Sequence, residues 1–323
     1  MREPQFHELH RVDTAALAAE AAAGLLAQPA RANPKFFYDT LGSRLFEAIT
    51  ELDEYYPTRT EAAILTAHGP AIADAVRACC GGAAPATLVD LGAGNGEKAQ
   101  RLFGPLAPAR YVAVDIAVDF LRPALQRLQR QHPGLDLVGV ALDFSRRLAL
   151  PDGVVQGPAL VFYPGSSIGN FAPDEALRLL REARALADGS ALLIGVDLLK
   201  PAGRLVPAYD DALGVTAAFN LNLLRHLNRL LGADFQPRDW CHRALFNADA
   251  SRIEMHLEAR QALGVRWPGG ERQFSAGERI HTENAYKWRA DDFQALLHDA
   301  GYGRVQRWTD VAGDFALMLA AAG

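Results

Sequence analysis

The sequence predicts an α/β protein: a doubly wound parallel sheet accompanied by a second, α+β domain assembled from both ends of the chain. Three observations predict it. Between residues 62 and 199, short apolar runs alternate with helical stretches, the pattern of parallel strands joined by crossover helices. The first of these runs leads straight into the glycine turn Gly92-Ala93-Gly94-Asn95-Gly96. On either side the pattern changes: residues 1–61 carry a helical period and an aromatic cluster, and residues 200–323 mix a long helix with alternating, strand-like runs.

Taken in order, Ala15 to Ala27 and Ser43 to Thr50 repeat at helical spacing. Residues 86–91 read as the first buried strand, 110–115 as the second, 135–141 as the third, 159–163 as the fourth and 190–196 as the fifth. Helices are expected over 97–103, 117–131 and 173–187; Asp174 and Glu175 set negative charge at the positive end of the last helix dipole. Residues 210–231 read as a helix and 252–259 alternate like a half-buried strand, while 264–277, punctuated by Pro268-Gly269-Gly270, reads as a hairpin. The expected division is therefore a ligand-binding sheet domain over 62–199 and a discontinuous substrate domain from 1–61 and 200–323.

The 323 residues are half apolar, enough for packed cores in two domains at about 150 residues each. With 33 basic against 38 acidic side chains and a formal charge of −5, the chain lacks the concentrated basic field that duplex DNA or an anionic membrane demands, so neither is an expected partner. No run approaches the roughly 18 apolar residues of a membrane span. The cysteines are Cys79, Cys80 and Cys241; an odd count with two adjacent points to reduced thiols and a cytoplasmic location. The nine histidines are scattered, without metal-ligand spacing, so no metal is expected. Nothing in the sequence reads out an oligomeric state, and a monomer is compatible with it.

The glycine turn has the spacing G-x-G-x-G. A dinucleotide fingerprint places its third glycine one residue later; here that residue is Glu97, whose charge opposes a pyrophosphate. A ligand without phosphates fits better. Asp115 ends the second strand, where it can accept two ribose hydroxyls or cap the following helix. Asp143-Phe144 follows the third strand, where it can take an adenine amino group and pack the ring. This succession of a strand, D-L-G-x-G-x-G, an acidic strand end and D-F resembles the Rossmann-like class I S-adenosylmethionine-dependent methyltransferases. After the fourth strand the chain reads Tyr163-Pro164-Gly165-Ser166-Ser167-Ile168-Gly169-Asn170, without the N-P-P-Y or Pro-Cys signatures of nucleic-acid methylases.

Further segments resemble one branch of that class. Residues 34–39 (PKFFYD), 42–47 (GSRLFE) and 54–61 (EYYPTRTE) are joined by 165–170 (GSSIGN), 208–212 (AYDDA), 219–220 (FN), 252–255 (RIEM), 282–283 (TE) and 312–315 (AGDF). Together they are similar to the L-histidine Nα-methyltransferases of ergothioneine biosynthesis, over nearly the whole chain. The resemblance implies three successive methyl transfers from S-adenosylmethionine to the α-amino nitrogen of L-histidine, giving hercynine. It also implies that Tyr38, Phe46 and Tyr55 border the amine and that Asn170 and Tyr209 hold the carboxylate, which Gly165 lets approach. Met255 and Glu283 would face the imidazole. Gly92, Gly94, Lys98, Asp115, Asp143 and Phe144 would hold the cofactor.

The residue types suit such chemistry. In-line attack of an amine on a sulfonium methyl needs positioning and desolvation more than a covalent intermediate. The ammonium must first lose a proton, and Tyr38 is the candidate for relaying it. Aromatic faces tolerate an amine that becomes a permanent cation, by about 0.5–2 kcal/mol each. Read singly, Phe36, Phe37, Phe46 and Tyr56 also suit a core, Met255 alternates with Ile253 and Leu257 as sheet core, Glu283 could pair with Lys287 on a helix, and Lys98 could be a solvated helix residue. One position departs from the pattern: Ala285 stands where the family usually has a serine that helps hold the imidazole. That leaves Asn284 or a water as the ring's second partner, and another amino acid or a histidine derivative as alternative substrate. A catalytically silent module that binds S-adenosylmethionine and regulates a partner is the reading from a different functional class.

Overall fold

In a computed structural model, which describes residues 3–9, 13–187 and 191–321, the apolar runs become strands buried on both faces. In chain order the strands are β1 (Gln5–Glu8), β2 (Ala30–Arg31), β3 (Thr87–Leu91), β4 (Arg110–Asp115), β5 (Asp136–Ala141), β6 (Ala159–Tyr163) and β7 (Ala191–Asp197). They continue with β8 (Trp240–Asn247), β9 (Arg252–Ala259), β10 (Leu263–Trp267), β11 (Gly270–Phe274), β12 (Arg279–Tyr286), β13 (Arg304–Thr309) and β14 (Phe315–Ala321). Ser190, the expected start of the fifth sheet strand, lies outside the described residues. The chain forms two compact units, one of Met1–His10, Pro57–Leu199 and Lys287–Gly323, the other of Arg11–Tyr56 and Lys200–Tyr286.

The first unit holds a sheet of order β1-β5-β4-β3-β6-β7-β14-β13. Strands β1 and β3 to β7 run parallel, β14 runs antiparallel to β7, and β13 antiparallel to β14. Alternation sends Val89, Leu91, Val112 and Val114 to one face, under the helices Pro173–Ala187 and Ala290–Asp299. It sends Leu88, Tyr111, Ala113 and Phe162 to the other, under Glu97–Leu106, Val118–Gln131 and the helix Tyr56–Cys79. Strand order reverses between β3 and β6, so their carboxyl ends open the crevice in which doubly wound sheets take ligands.

Here the structure departs from the expected division. The sequence placed residues 1–61 and 200–323 together, but β1 pairs with β5, while β14 and β13 extend the sheet beyond β7. Strand β14, Phe-Ala-Leu-Met-Leu-Ala-Ala, is buried throughout; its continuous apolarity marks a strand covered on both faces, as parallel-sheet interiors are.

The second unit has a sheet of order β2-β12-β9-β8, antiparallel except for the short parallel contact of β2 with β12, and a separate hairpin of β10 and β11. Its core packs Ile253, Met255, Leu257 and Ala259 with Leu25, Ile49, Phe219, Leu223 and Leu227 from the helices Thr14–Leu26, Thr40–Thr50 and Val215–Leu231. The long helix begins at Val215 rather than near 210 because the Asp211 carboxylate accepts the Val215 and Thr216 amides at 3.0 and 2.7 Å and ends the preceding loop. Asp39 does the same for Thr40–Thr50 through the Gly42 amide, 2.7 Å, and also accepts Asn222 and Arg229 from the long helix.

Candidate active site

In the first unit, the turn after β3 is left-handed at each glycine, with φ of +70° at Gly92, +54° at Gly94 and +76° at Gly96. L side chains resist that conformation. A Cβ at Gly94 would meet nothing within 4 Å, and one at Gly92 only the Phe144 ring, 3.9 Å away, so the turn offers bare backbone to an open cradle walled by an aromatic ring. Asp115 fixes the turn from the neighbouring strand: its Oδ2 accepts the Gly94 amide at 2.8 Å and its Oδ1 the Ala117 amide at 2.9 Å. Burial raises its pKa, and these amides oppose the rise. Asp115 thus also ties down the turn that begins the next helix. Asp143 accepts the amide and hydroxyl of Ser145, and Phe144 packs edge-on to Tyr163 at 5.8 Å.

Beneath the turn, the Tyr111 hydroxyl donates to Asp90 Oδ2 at 2.8 Å, while Asp90 Oδ1 has no protein partner among the described residues. Burial pushes the Asp90 carboxyl up to about 7 against the pull of the Tyr111 bond. A buried oxygen without a protein partner, two residues before an open glycine turn, suits a polar, phosphate-free ligand. Asp90 received no role from the sequence, although it opens the D-L-G run.

Lys98, in the first turn of the helix Glu97–Leu106, is not a freely solvated side chain. Its Nζ lies 3.0 Å from Glu61 Oε2, and Glu61 Oε1 accepts the Gly165 amide at 2.8 Å. Gly165, at φ +76°, leads into the 3-10 turn Ser167–Asn170, whose approach is tied down by the Ser166 hydroxyl accepting the Asp197 amide at 2.8 Å. Among the described residues no group of three or more His, Cys, Asp or Glu is placed to hold a metal ion.

In the second unit, the aromatic residues singled out by resemblance form a continuous run of rings. Tyr38 meets Phe46 at 6.0 Å, Phe46 meets Tyr55 at 6.2 Å, and Tyr55 meets Tyr209 at 6.2 Å, each edge to face. Phe219 completes the group, 6.0 Å from Tyr38 and 6.1 Å from Phe46; the sequence assigns it no role. Phe36, Phe37 and Tyr56 are buried core residues.

Met255 on β9 lies directly opposite Glu283 on β12. The register slips between His281 and Glu283, so Thr282 is the extra residue of a bulge and its hydroxyl donates to the Met255 carbonyl at 3.0 Å. The bulge turns Glu283 and Ala285 toward the same buried face as Ile280 and Met255. Glu283 is 8% exposed. It sits in a strand, which removes the helical pairing with Lys287; Lys287 donates instead to Asp197 at 2.7 Å. Asn284 points to the opposite face, where its Oδ1 lies 2.8 Å from His281 Nε2, so it is no partner for a ring beside Glu283. Met255 and Ala285 are buried in the core against which Tyr38, Phe46 and Tyr209 pack.

Behind Tyr209, a chain of buried polar groups sets its backbone. Asn220 Nδ2 donates to the His256 carbonyl at 3.1 Å and lies 2.8 Å from His242 Nδ1. With its amide so oriented, Nδ1 accepts and the proton resides on Nε2, which donates to the Tyr209 carbonyl at 2.8 Å. Burial lowers the His242 pKa despite that carbonyl and the nearby Asp210 and Asp211, which keeps the ring neutral.

Comparison with known proteins places this architecture. A family model described as histidine-specific methyltransferase, SAM-dependent, matches residues 17–322. The chain is 43% identical to the histidine N-alpha-methyltransferase of Mycolicibacterium smegmatis, over 94% of each chain, and 42% identical to that of Mycobacterium tuberculosis, over 95% of each. It is 30% identical to ergothioneine biosynthesis protein 1 of Neurospora crassa, over 88% of this chain and 32% of that one.

Proposed function

The chain belongs to the histidine-specific, S-adenosylmethionine-dependent methyltransferases, and from that premise we propose that it trimethylates the α-amino nitrogen of L-histidine to hercynine, in ergothioneine-type biosynthesis. The observation that carries the substrate within the structure is the buried pair of Glu283 and Met255, set on the core that the aromatic run covers. A carboxylate accepts an imidazole N–H and favours a charged ring; an indole or phenol gains less from it.

S-Adenosylmethionine supplies an electrophilic methyl group. Gly92 and Gly94 offer it bare backbone, Asp115 its ribose acceptor, Asp143 and Phe144 an adenine partner and wall, and Lys98 the counter-charge for its carboxylate. In the second unit, Tyr38, Phe46 and Tyr55 exclude water from the amine and offer π-faces to the growing cation, Tyr209 holds the substrate carboxylate, and Met255, Glu283 and the small side of Ala285 receive the ring. For Gly165 and Asn170 the carboxylate role implied by resemblance stands as part of the proposal. Tyr38 relays the amine proton to solvent, with no covalent enzyme intermediate. The three cysteines are free thiols, which supports a reducing, cytoplasmic setting, and no helix among the described residues is long and apolar enough to cross a membrane.

Incubation with S-adenosylmethionine and each proteinogenic amino acid, read by mass spectrometry for one, two or three added methyl groups, tests the reading. Histidine is expected to accumulate three. Ala285 favours one alternative, a different amino acid or histidine derivative; better turnover of such a compound would establish it. Absence of turnover with any would promote a silent, regulatory module.

A further inference from the structure

Glu61 is 1% exposed, and four segments of the first unit are shaped around it. It projects from the helix Tyr56–Cys79. One oxygen takes the Gly165 amide, 2.8 Å, and the other the Lys98 ammonium, 3.0 Å. Two glycines make the room. A Cβ at Gly195, on β7, would lie 2.2 Å from Glu61 Oε1, and a Cβ at Gly165 would lie 2.7 Å from Lys98 Nζ, both closer than real atoms approach. The Lys98 side chain remains 35% exposed, so it is anchored at Glu61 without being enclosed.

A buried carboxylate is expensive to keep, and removing the cation paired with it would leave it uncompensated. Lysine alone is a poor anchor, because its four-carbon stem samples many rotamers. We propose that Glu61 is a positioning residue that holds the Lys98 ammonium beside the glycine turn, aimed at the carboxylate of S-adenosylmethionine. The inference rests on the reading of Lys98 as a cofactor ligand. It gives Gly165 a further reason to be glycine: any side chain there displaces the ammonium.

The test compares S-adenosylhomocysteine with its decarboxylated analogue, which keeps the amine and nucleoside but lacks the carboxylate, by calorimetry. The wild type should prefer the carboxylate-bearing ligand, and Lys98→Met should lose that preference. Glu61→Gln, whose amide oxygen still accepts the Gly165 N–H, should weaken S-adenosylhomocysteine about tenfold, the worth of one charge-assisted hydrogen bond, and leave the decarboxylated analogue unchanged. Glu61→Gln combined with Lys98→Met should bind no more weakly than Lys98→Met alone. Gly165→Ala, which leaves both charged residues in place, should reproduce the loss of preference and serves if Glu61→Gln does not fold. Wild-type preference in Glu61→Gln, or equal weakening of both ligands, would overturn the proposal. Wild-type preference in Lys98→Met would overturn the reading of Lys98 itself.

Discussion

Acidification from pH 7.5 to 5 should loosen the second unit while firming the first. Three histidines of the second unit, His242, His256 and His281, have pKa values lowered by burial. As pH falls below about 6.5, the unfolded chain binds these protons first; the stability that the neutral rings contribute is complete above that pH and is lost as pH descends through the folded values. Each proton is worth up to a factor of ten in the folding equilibrium per pH unit, so three set a ceiling of about a thousandfold, or about 4 kcal/mol per pH unit. The first unit runs the other way. Asp90, raised by burial to about 7 from 3.8, takes up its proton in the folded state first, and Asp115 is shifted in the same direction; stability there rises as pH falls from about 7. The lowered carboxyls Glu254, Glu258 and Glu278 titrate below this window. Hydrogen exchange with mass spectrometry, corrected for intrinsic rates, should show protection falling in Val215–Leu231, β8, β9 and β12, and holding or rising in β3 and β4. His281→Asn should flatten the second unit's slope by one proton. Protection in the second unit that is flat with pH, or that outlasts the first unit's, would refute the reasoning.

Replacing Glu283 by alanine should cut discrimination between histidine and tryptophan about tenfold or more, because a bare apolar pocket gives no return for a ring N–H; competition between the two amino acids, read by mass spectrometry, checks it. Ala285→Ser should lower the KM for histidine about two- to tenfold, the net worth of one restored hydrogen bond; an unchanged or raised KM would show that position 285 does not face the ring. Asp115→Ala should abolish measurable binding of S-adenosylhomocysteine in calorimetry, since it removes both the proposed ribose acceptor and the tether on the Gly94 amide. Phe46→Leu should slow the third methyl transfer more than the first, seen as accumulation of dimethylhistidine, because the π-face matters most as the nitrogen becomes a fixed cation.

What was legible in the sequence was local. The runs at Thr87–Leu91 and Arg110–Asp115 are largely apolar, the first leading into glycine and the second ending in aspartate, so strand, turn and ligand-facing end can be read together. The segment Phe315–Ala321 is equally apolar, but nothing near it in sequence says that it pairs with β7, more than a hundred residues earlier. Strand β1 has four residues and a partner that follows five α-helices later in the chain. Glu61 escaped for the same reason: the amide it binds is 104 residues away. The bulge at Thr282 escaped because alternation alone would set Glu283 and Met255 by parity, and one extra residue reverses parity beyond it. The resemblance supplied that pair where periodicity could not.

The place of β14 between β7 and β13 has a consequence for how the chain is made. β7 is apolar and wholly buried when finished, yet it emerges from the ribosome about 120 residues before the strand that covers one of its edges, a wait of roughly 6 to 24 s at ordinary elongation rates. Throughout that interval the entire second unit's later portion is being synthesised, and the open edge of β7 is a template for any other extended chain. Nascent-chain capture by a holdase, and translation tempo across residues 200–314, should therefore govern the yield of folded enzyme more than the stability of the finished sheet does.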